Sequence, residues 1–280
     1  MASSERRVCF LRSAGKHFVR IGADGADTLT RMGDVPVNTG DALRRLGALG
    51  LSGGSIAILL DHFEDAERRG KPGHGYARIP WLETQQIEPD AAPVKVASEA
   101  GLDRWEGRGA LGYLTLAAIC DDLIGSNVGD TRLVVASSCF PTGVLGYWVR
   151  RLASAGYVAL LAATSPRRLP HPAGGPPLTG TNPLAIAIPS SRGEPLVADV
   201  SMGAVTQGDV LAGRAQPEEL VPFGGPLAHK AFALAVGLEL LVGALAGPEH
   251  GALLLVARPE FDPVPAFREL AAGLRLPGDA

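Results

Sequence analysis

Two residues offer chemistry by their type and spacing. His74 sits between Gly73 and Gly75, directly after a helix that Gly70 and Pro72 stop, and Arg78 follows four positions later. An imidazole can give or take a proton near neutral pH, and a guanidinium can clamp a carboxylate through two parallel hydrogen bonds. On one helical turn the two share a face. The pair suits reduction or oxidation at a carbon next to a carboxylate. Spacing alone is met equally by a solvated surface turn.

Three further clusters could hold a ligand. Thr181 and Asn182, in Leu178-Thr179-Gly180-Thr181-Asn182-Pro183, offer hydroxyl, amide and backbone groups to an oxygen-rich ligand, or equally an Asx-type turn. Asp199, followed by Val200 and Ser201, is an acid at a strand end, where α/β sheets gather ligand contacts. His229 and Lys230 open an apolar helix; cations there oppose the helix dipole and suggest an anionic partner such as a phosphate. A literal dinucleotide fingerprint, Gly107-Arg108-Gly109-Ala110-Leu111-Gly112, precedes a helix. The Leu102–Glu106 segment before it does not read as a buried parallel strand. Nor does an acid-ended strand follow about 20 residues later, so a glycine-rich turn is expected.

The elements that must position these residues follow from periodicity. Asn38-Thr39 caps a short amphipathic helix over 40–46, and Ser55 caps a second whose Ile56, Leu59, Leu60, Phe63 and Ala66 recur at helical spacing. From Pro93 onward strands and helices alternate. Strands are predicted at 93–97, 133–136, 157–161, 184–188, 195–200 and 252–257, with helices at 111–123, 143–153, 232–245 and 264–272. That order predicts a layered α/β core with a mixed sheet. The first forty residues read as irregular or short strands, with Gly22, Gly25 and Gly33 as turn signals.

Composition narrows the class. The chain has 280 residues, 46% hydrophobic and 20% charged, with a net charge of −3. It is long enough for a substantial core and lacks the basic field of a nucleic-acid binder. Three widely spaced cysteines form no CxxC pair, so neither a disulfide framework nor a metal site is indicated. The opening residues hold no apolar run long enough for a secretory signal, and the stretch 232–245 is shorter than the roughly 20 residues that span a bilayer. A cytoplasmic protein with no membrane or nucleic-acid partner is expected, with 232–245 a buried helix.

In order along the chain, GHGYARIP, TSPRRLPHPAGGPPLTGTNPLAIAIP, PLVADVSM and FGGPLAHKAFALAVGLELLVGALAG resemble the malate/L-lactate/ureidoglycolate dehydrogenases, which use no Rossmann domain. Diketogulonate, piperideine-2-carboxylate and pyrroline-2-carboxylate reductases belong to the same family. The resemblance runs from about Thr39 to Val256. It implies a malate/L-lactate dehydrogenase-like layered α/β fold with an N-terminal helical segment. Residues 1–92 would carry the His74 motif, 93–228 a central cofactor-binding region, and 229–280 a helix-strand-helix packing back on the N-terminal part.

The implied activity is hydride transfer from NADPH or NADH to a small 2-oxo acid or cyclic 2-imino acid. His74 would be the proton donor and Arg78 the carboxylate ligand, with Thr181 and Asn182 toward the substrate. Cofactor contacts would fall on Ser165, Asp199, Val200, Ser201, His229 and Lys230, and the molecule would be a homodimer. A basic residue by the adenosine ribose would favour NADP, and Arg167 or Arg168 could serve.

The departures from the family are specific. Gly73 stands where a serine is usual, and Ser137-Ser138-Cys139-Phe140-Pro141-Thr142-Gly143 carries no counterpart of the family's second histidine. Residues 203–209 replace a polar glycine-rich stretch, and the segment before Phe223 is shortened to 212–221. Loss of the second histidine suits an imine substrate, because an iminium already carries the charge a ketone must develop. It also leaves open a redox-silent biosynthetic isomerase, lyase or cyclase using His74 as acid/base, or a non-catalytic partner subunit.

Overall fold

The computed structural model of this chain describes residues 38–129 and 131–279, with residue 35 and the backbone of 18–21 and 28–31. Strands β1 (Phe18–Ile21) and β2 (Thr28–Arg31) form an antiparallel pair. The turn signals at Gly22, Gly25 and Gly33 and the leader reading of the first residues lie outside the described residues. Two helices follow, α1 (Thr39–Ala48) and α2 (Gly53–Arg68). Asn38 caps α1 by accepting the Asp41 N–H at 2.9 Å. For α2 the cap is Ser52, not Ser55. The Ser52 hydroxyl accepts the Ser55 N–H, and Gly53 and Gly54 form the first turn despite their low helix propensity.

After the short α3 (Ile79–Leu82), the chain builds a seven-stranded mixed sheet. Its elements are β3 (Val94–Glu99), β4 (Leu102–Glu106), α4 (Gly112–Gly125), β5 (Arg132–Ser137), α5 (Leu145–Ser154) and β6 (Val158–Ala163). A small pair, β7 (Leu169–Pro170) and β8 (Pro177–Thr179), precedes β9 (Leu184–Ile188), β10 (Leu196–Val200) and α6 (Gln207–Leu211). The last elements are α7 (Ala228–Ala246), β11 (Ala252–Ala257) and α8 (Val264–Leu270). The strand order is β10-β9-β6-β11-β5-β4-β3. Late in the chain, β11 thus enters the middle of the sheet, antiparallel to both β5 and β6. The 229–280 stretch also reaches α2, where Arg69 donates to the Gly278 carbonyl at 3.2 Å.

Side chains alternate across the sheet, as period two demands. Val134, Ala136, Leu161, Leu254 and Val256 enter the main core beneath α1, α2, α4 and α5, whereas Val135, Ala162 and Leu253 face Val242 of α7. Two sequence expectations need correction here. Leu102–Glu106 is a strand, and it runs parallel to β5. Its polar residues hid it: only alternate positions, Asp103 and Trp105, are buried. Residues 232–245 are not a buried helix. Only Ala231, Ala235 and Val242 of α7 are buried, while Leu234, Leu240 and Leu241 are 51%, 66% and 47% exposed. By length and hydropathy the helix could cross a bilayer, yet its small residues lie against the sheet.

The glycine fingerprint does stand between a parallel strand and a helix, but protein fills the space a nucleotide would need. The Ser138 carbonyl oxygen occupies the place of a Gly107 side chain. A Cβ on Gly112 would lie 2.7 Å from the Pro141 carbonyl oxygen. These glycines let the 107–112 turn cross the 138–141 segment. Gly107→Ala is therefore expected to lower unfolding free energy by about 1–3 kcal/mol through overpacking. Urea unfolding checks this; unchanged stability would contradict the close crossing of the two segments.

Candidate active site

A cavity of about 280 Å³ opens where the turn after α2 meets the ends of β6, β9 and β10. His74 and Arg78 do not share a continuous helix. His74 ends one 3₁₀ turn (Pro72–His74), Arg78 ends the next (Tyr76–Arg78), and α3 follows at once. Both side chains nevertheless line the cavity.

Gly73 fixes the position of the histidine turn. A Cβ on Gly73 would lie 2.7 Å from the Gly208 carbonyl carbon, and one on Gly208 would strike the Gly73 carbonyl oxygen. The two backbones touch, so only glycine fits at either place. A serine at position 73 would not fit against this contact. On the other side, the Glu67 carboxylate accepts the Tyr76 N–H at 2.9 Å.

Arg78 is buried, and its guanidinium lies 4.3 Å from the centre of the Trp81 ring. Trp81 packs edge-on to Phe140. This stacking fixes the plane of the guanidinium while leaving its N–H edges available. Among the described residues no carboxylate pairs with Arg78. The buried Tyr113 hydroxyl also makes no hydrogen bond of normal geometry. Burial raises the Tyr113 pKa, and the Arg78 charge opposes part of that rise.

The cavity carboxylates, by contrast, are paired. Lys71 Nζ meets Asp199 at 2.9 Å, and Arg214 meets Asp209 at 2.8 Å. Asp209 also completes a capping box with Thr206 at the start of α6. Burial lowers the His74 pKa to about 4. Arg78 and Lys71 push in the same direction, while Asp199 and Asp209 oppose them. The imidazole is therefore neutral at pH 7.

Six of the residues singled out from sequence meet here: His74, Arg78, Ser165, Thr181, Asp199 and Ser201. Four do not line the cavity. Asn182 lies beneath it, fully buried, accepting the Ser165 N–H at 3.2 Å and donating to the Ala235 carbonyl at 3.0 Å and to Glu239 at 2.6 Å. Its amide braces the loop on α7. Val200 is 45% exposed on the edge strand β10, and His229 and Lys230 are exposed at the start of α7. Arg168 lines the cavity, whereas Arg167 is exposed.

Lys71, Trp81 and Tyr113 escaped sequence reasoning. Tyr113 follows the last fingerprint glycine and reads as part of an apolar helix; nothing in the spacing marks its hydroxyl. The 140–144 segment, which overlaps the 137–143 stretch where the resemblance leads one to expect a second histidine, lines the cavity without a titratable group. Behind it stands His62 of α2, whose Nε2 accepts the Val144 N–H at 3.0 Å. Its ring stacks on Trp148 and meets Tyr113 edge-on. Burial holds the His62 pKa well below its ordinary value, with His74 and Arg78 adding to the effect.

The mixed sheet flanked by helices defines an α/β chain, and its cavity is lined by more cations than anions. A family model described as malate/L-lactate dehydrogenase matches residues 42–220. The (2R)-3-sulfolactate dehydrogenase (NADP(+)) of Chromohalobacter salexigens is 30% identical over 241 residues, 75% of this chain and 71% of that protein. A Δ1-pyrroline-2-carboxylate/Δ1-piperideine-2-carboxylate reductase of Pseudomonas putida is 30% identical over 71% of this chain and 66% of its own length. Among solved structures, the Δ1-piperideine-2-carboxylate reductase of Pseudomonas syringae superposes with a TM-score of 0.73 at 26% identity, covering 85% of this chain and 88% of that one. A malate dehydrogenase from Entamoeba histolytica shares the fold, with a TM-score of 0.72 at 20% identity over 85% of this chain and 84% of its own. The chain belongs to the malate/L-lactate dehydrogenase family.

Two imidazoles held neutral make stability depend on pH. His62 and His74 both have folded pKa values below their unfolded value of 6.5. Their contribution is complete above pH 6.5 and is lost as pH falls, for His74 down to about 4. Each then costs about 1.4 kcal/mol per pH unit, because the unfolded state alone takes up the proton. Urea unfolding at pH 7, 6 and 5 is expected to show this decline, with a shallower slope in His62→Leu. A flat profile would contradict the burial of neutral rings.

Proposed function

We propose that this chain is a nicotinamide-dependent reductase of a small 2-oxo acid or cyclic 2-imino acid, with Arg78 as carboxylate ligand and His74 as proton donor. The observation that carries the reading is the guanidinium of Arg78, stacked on Trp81 and without a carboxylate partner among the described residues, in the same cavity as His74. A substrate carboxylate would supply the anion that the guanidinium lacks. It would also offset the Arg78 charge, which lowers the His74 pKa. Binding the acid therefore raises the proton affinity of the imidazole. His74 can then hold a proton and pass it to the developing alkoxide oxygen or amine nitrogen.

The donor chemistry of the cavity fits a nicotinamide cofactor. The Ser165, Thr181 and Ser201 hydroxyls and the Asp199 carboxylate suit a carboxamide and a ribose, with Lys71 and Arg214 nearby for negative charge. When bound, such a cofactor supplies the hydride and its electron pair. The cavity volume lies near the lower limit for ligand pockets, about 300 Å³, so it suits a small acid with a ring beside it. The rest of a dinucleotide would extend outside, where Val200, His229 and Lys230 are exposed. Asn182 serves this site as the brace of the Ser165–Thr181 wall.

NADPH or NADH at 100 times its dissociation constant is expected to stabilise the protein by about 2.7 kcal/mol. Loss of reduced-nicotinamide absorbance should follow on adding a 2-oxo or cyclic 2-imino acid, and His74→Ala should slow turnover by about 10²–10⁴-fold. Failure of both nucleotides to stabilise the protein would contradict the reading and favour acid/base chemistry without a redox step. A cytoplasmic location belongs to the same reading.

We further propose a homodimer, covering the uncovered leucines of α7. Light scattering is expected to give twice the chain mass of 29.0 kDa, and Leu241→Asp to halve it. A single-chain mass for the unaltered protein would contradict the dimer.

A further inference from the structure

The charges around the cavity do not balance. Lys71, Arg78, Arg168 and Arg214 contribute four cations, whereas Asp199 and Asp209 contribute two anions. The two carboxylates are already matched by Lys71 and Arg214, at 2.9 and 2.8 Å. His74, with its pKa lowered to about 4, adds no charge at pH 7. Arg78 and Arg168 remain, and among the described residues neither has a carboxylate partner. Arg168 sits just after β6, and its backbone N–H donates to the Thr179 carbonyl at 2.7 Å. Burial and the Arg78 charge, in that order, lower its pKa to about 10, so the two guanidinium groups feel each other across the cavity. It remains a cation at pH 7. Two desolvated like charges facing one small space are unfavourable until anions enter.

A monocarboxylate satisfies one of them and leaves the other uncompensated. We infer that the substrate carries two anionic groups: the carboxylate taken by Arg78, and a second carboxylate or sulfonate taken by Arg168. Resting on the reductase reading above, this narrows the substrate to a 2-oxo diacid or 3-sulfo-2-oxo acid, away from cyclic imines with a single carboxylate. Arg168 is then a specificity residue at the substrate and not a partner of the adenosine ribose. The sequence considered it for that cofactor role because an arginine pair after a strand carries no information on which ligand it faces.

The test compares oxaloacetate and 3-sulfopyruvate with 2-oxobutanoate, a monoacid of similar size. The diacids are expected to exceed the monoacid in kcat/KM by tenfold or more. Arg168→Gln should reduce that ratio at least tenfold, and Arg168→Lys should restore part of it, since charge without the fork keeps part of the attraction. Binding without turnover forms a second arm: succinate should stabilise the protein against heat more than butyrate, and Arg168→Gln should erase the difference.

Equal kcat/KM for diacids and the monoacid in the unaltered protein would overturn the inference while leaving the reductase reading intact. So would a loss of NADPH affinity, but not NADH affinity, in Arg168→Gln with the substrate ratio unchanged, because Arg168 would then hold the cofactor's phosphate. Conversely, Arg168-dependent succinate binding without nicotinamide oxidation would sustain the dianion site and defeat the reductase reading.

Discussion

The cavity exists because two distant segments touch backbone to backbone. Gly73, in the turn after α2, meets Gly208 at the start of α6 with no space for a side chain on either. That contact brings the histidine turn against the segment that follows β10, and the Lys71–Asp199 ion pair closes the same seam. His74 and Arg78 project from one side of the seam. Ser165, Thr181 and Ser201 face them from the other. Removing the contact would leave every side chain intact and the constellation lost. Close packing makes this constraint stiff, since interiors accommodate an added methyl poorly.

Around this seam, electrostatics divides the labour. The paired carboxylates are silent, and the free charge is concentrated in guanidinium groups. Arg78 stacks on the Trp81 ring and has no carboxylate counter-ion among the described residues. Burial and then the Arg78 charge keep the His74 pKa low. In the proposed reaction, neutralising Arg78 with a substrate carboxylate would raise the proton affinity of that imidazole. Among the described residues no second histidine joins His74 in the cavity lining. His62 lies behind the wall and holds the Val144 N–H, acting on the shape of the 140–144 segment and not on a substrate.

Much of the fold was legible because its strands are apolar runs between helices of clear period: β5, β6, β9, β10 and β11 all lie where hydrophobicity placed them. β4 was missed as a parallel strand because charged residues alternate with its buried Asp103 and Trp105. The exposure of α7 was equally hidden, since its composition is that of a core helix; only tertiary packing shows that alanines face the sheet and leucines face outward. At the site, His74 and Arg78 stood out by local spacing. Tyr113, Trp81 and Lys71 did not, because their meaning lies in contacts across the chain, and Arg168 stood out only as a candidate for the adenosine ribose. Asn182 shows the converse: a residue conspicuous in a loop motif serves as an internal brace.

Under the proposed function, hydride reaches the substrate carbon in the cavity holding His74 and Arg78, and isotope transfer tests this directly. NADPH, or NADH if that is the nucleotide bound, carrying deuterium at the transferable C4 position would be incubated with oxaloacetate, and the hydroxy acid examined by mass spectrometry. Direct transfer places deuterium at C2 of the product, with Arg78→Gln and His74→Ala each slowing its appearance. A product formed without deuterium, or labelled at the same rate in both variants, would contradict the account.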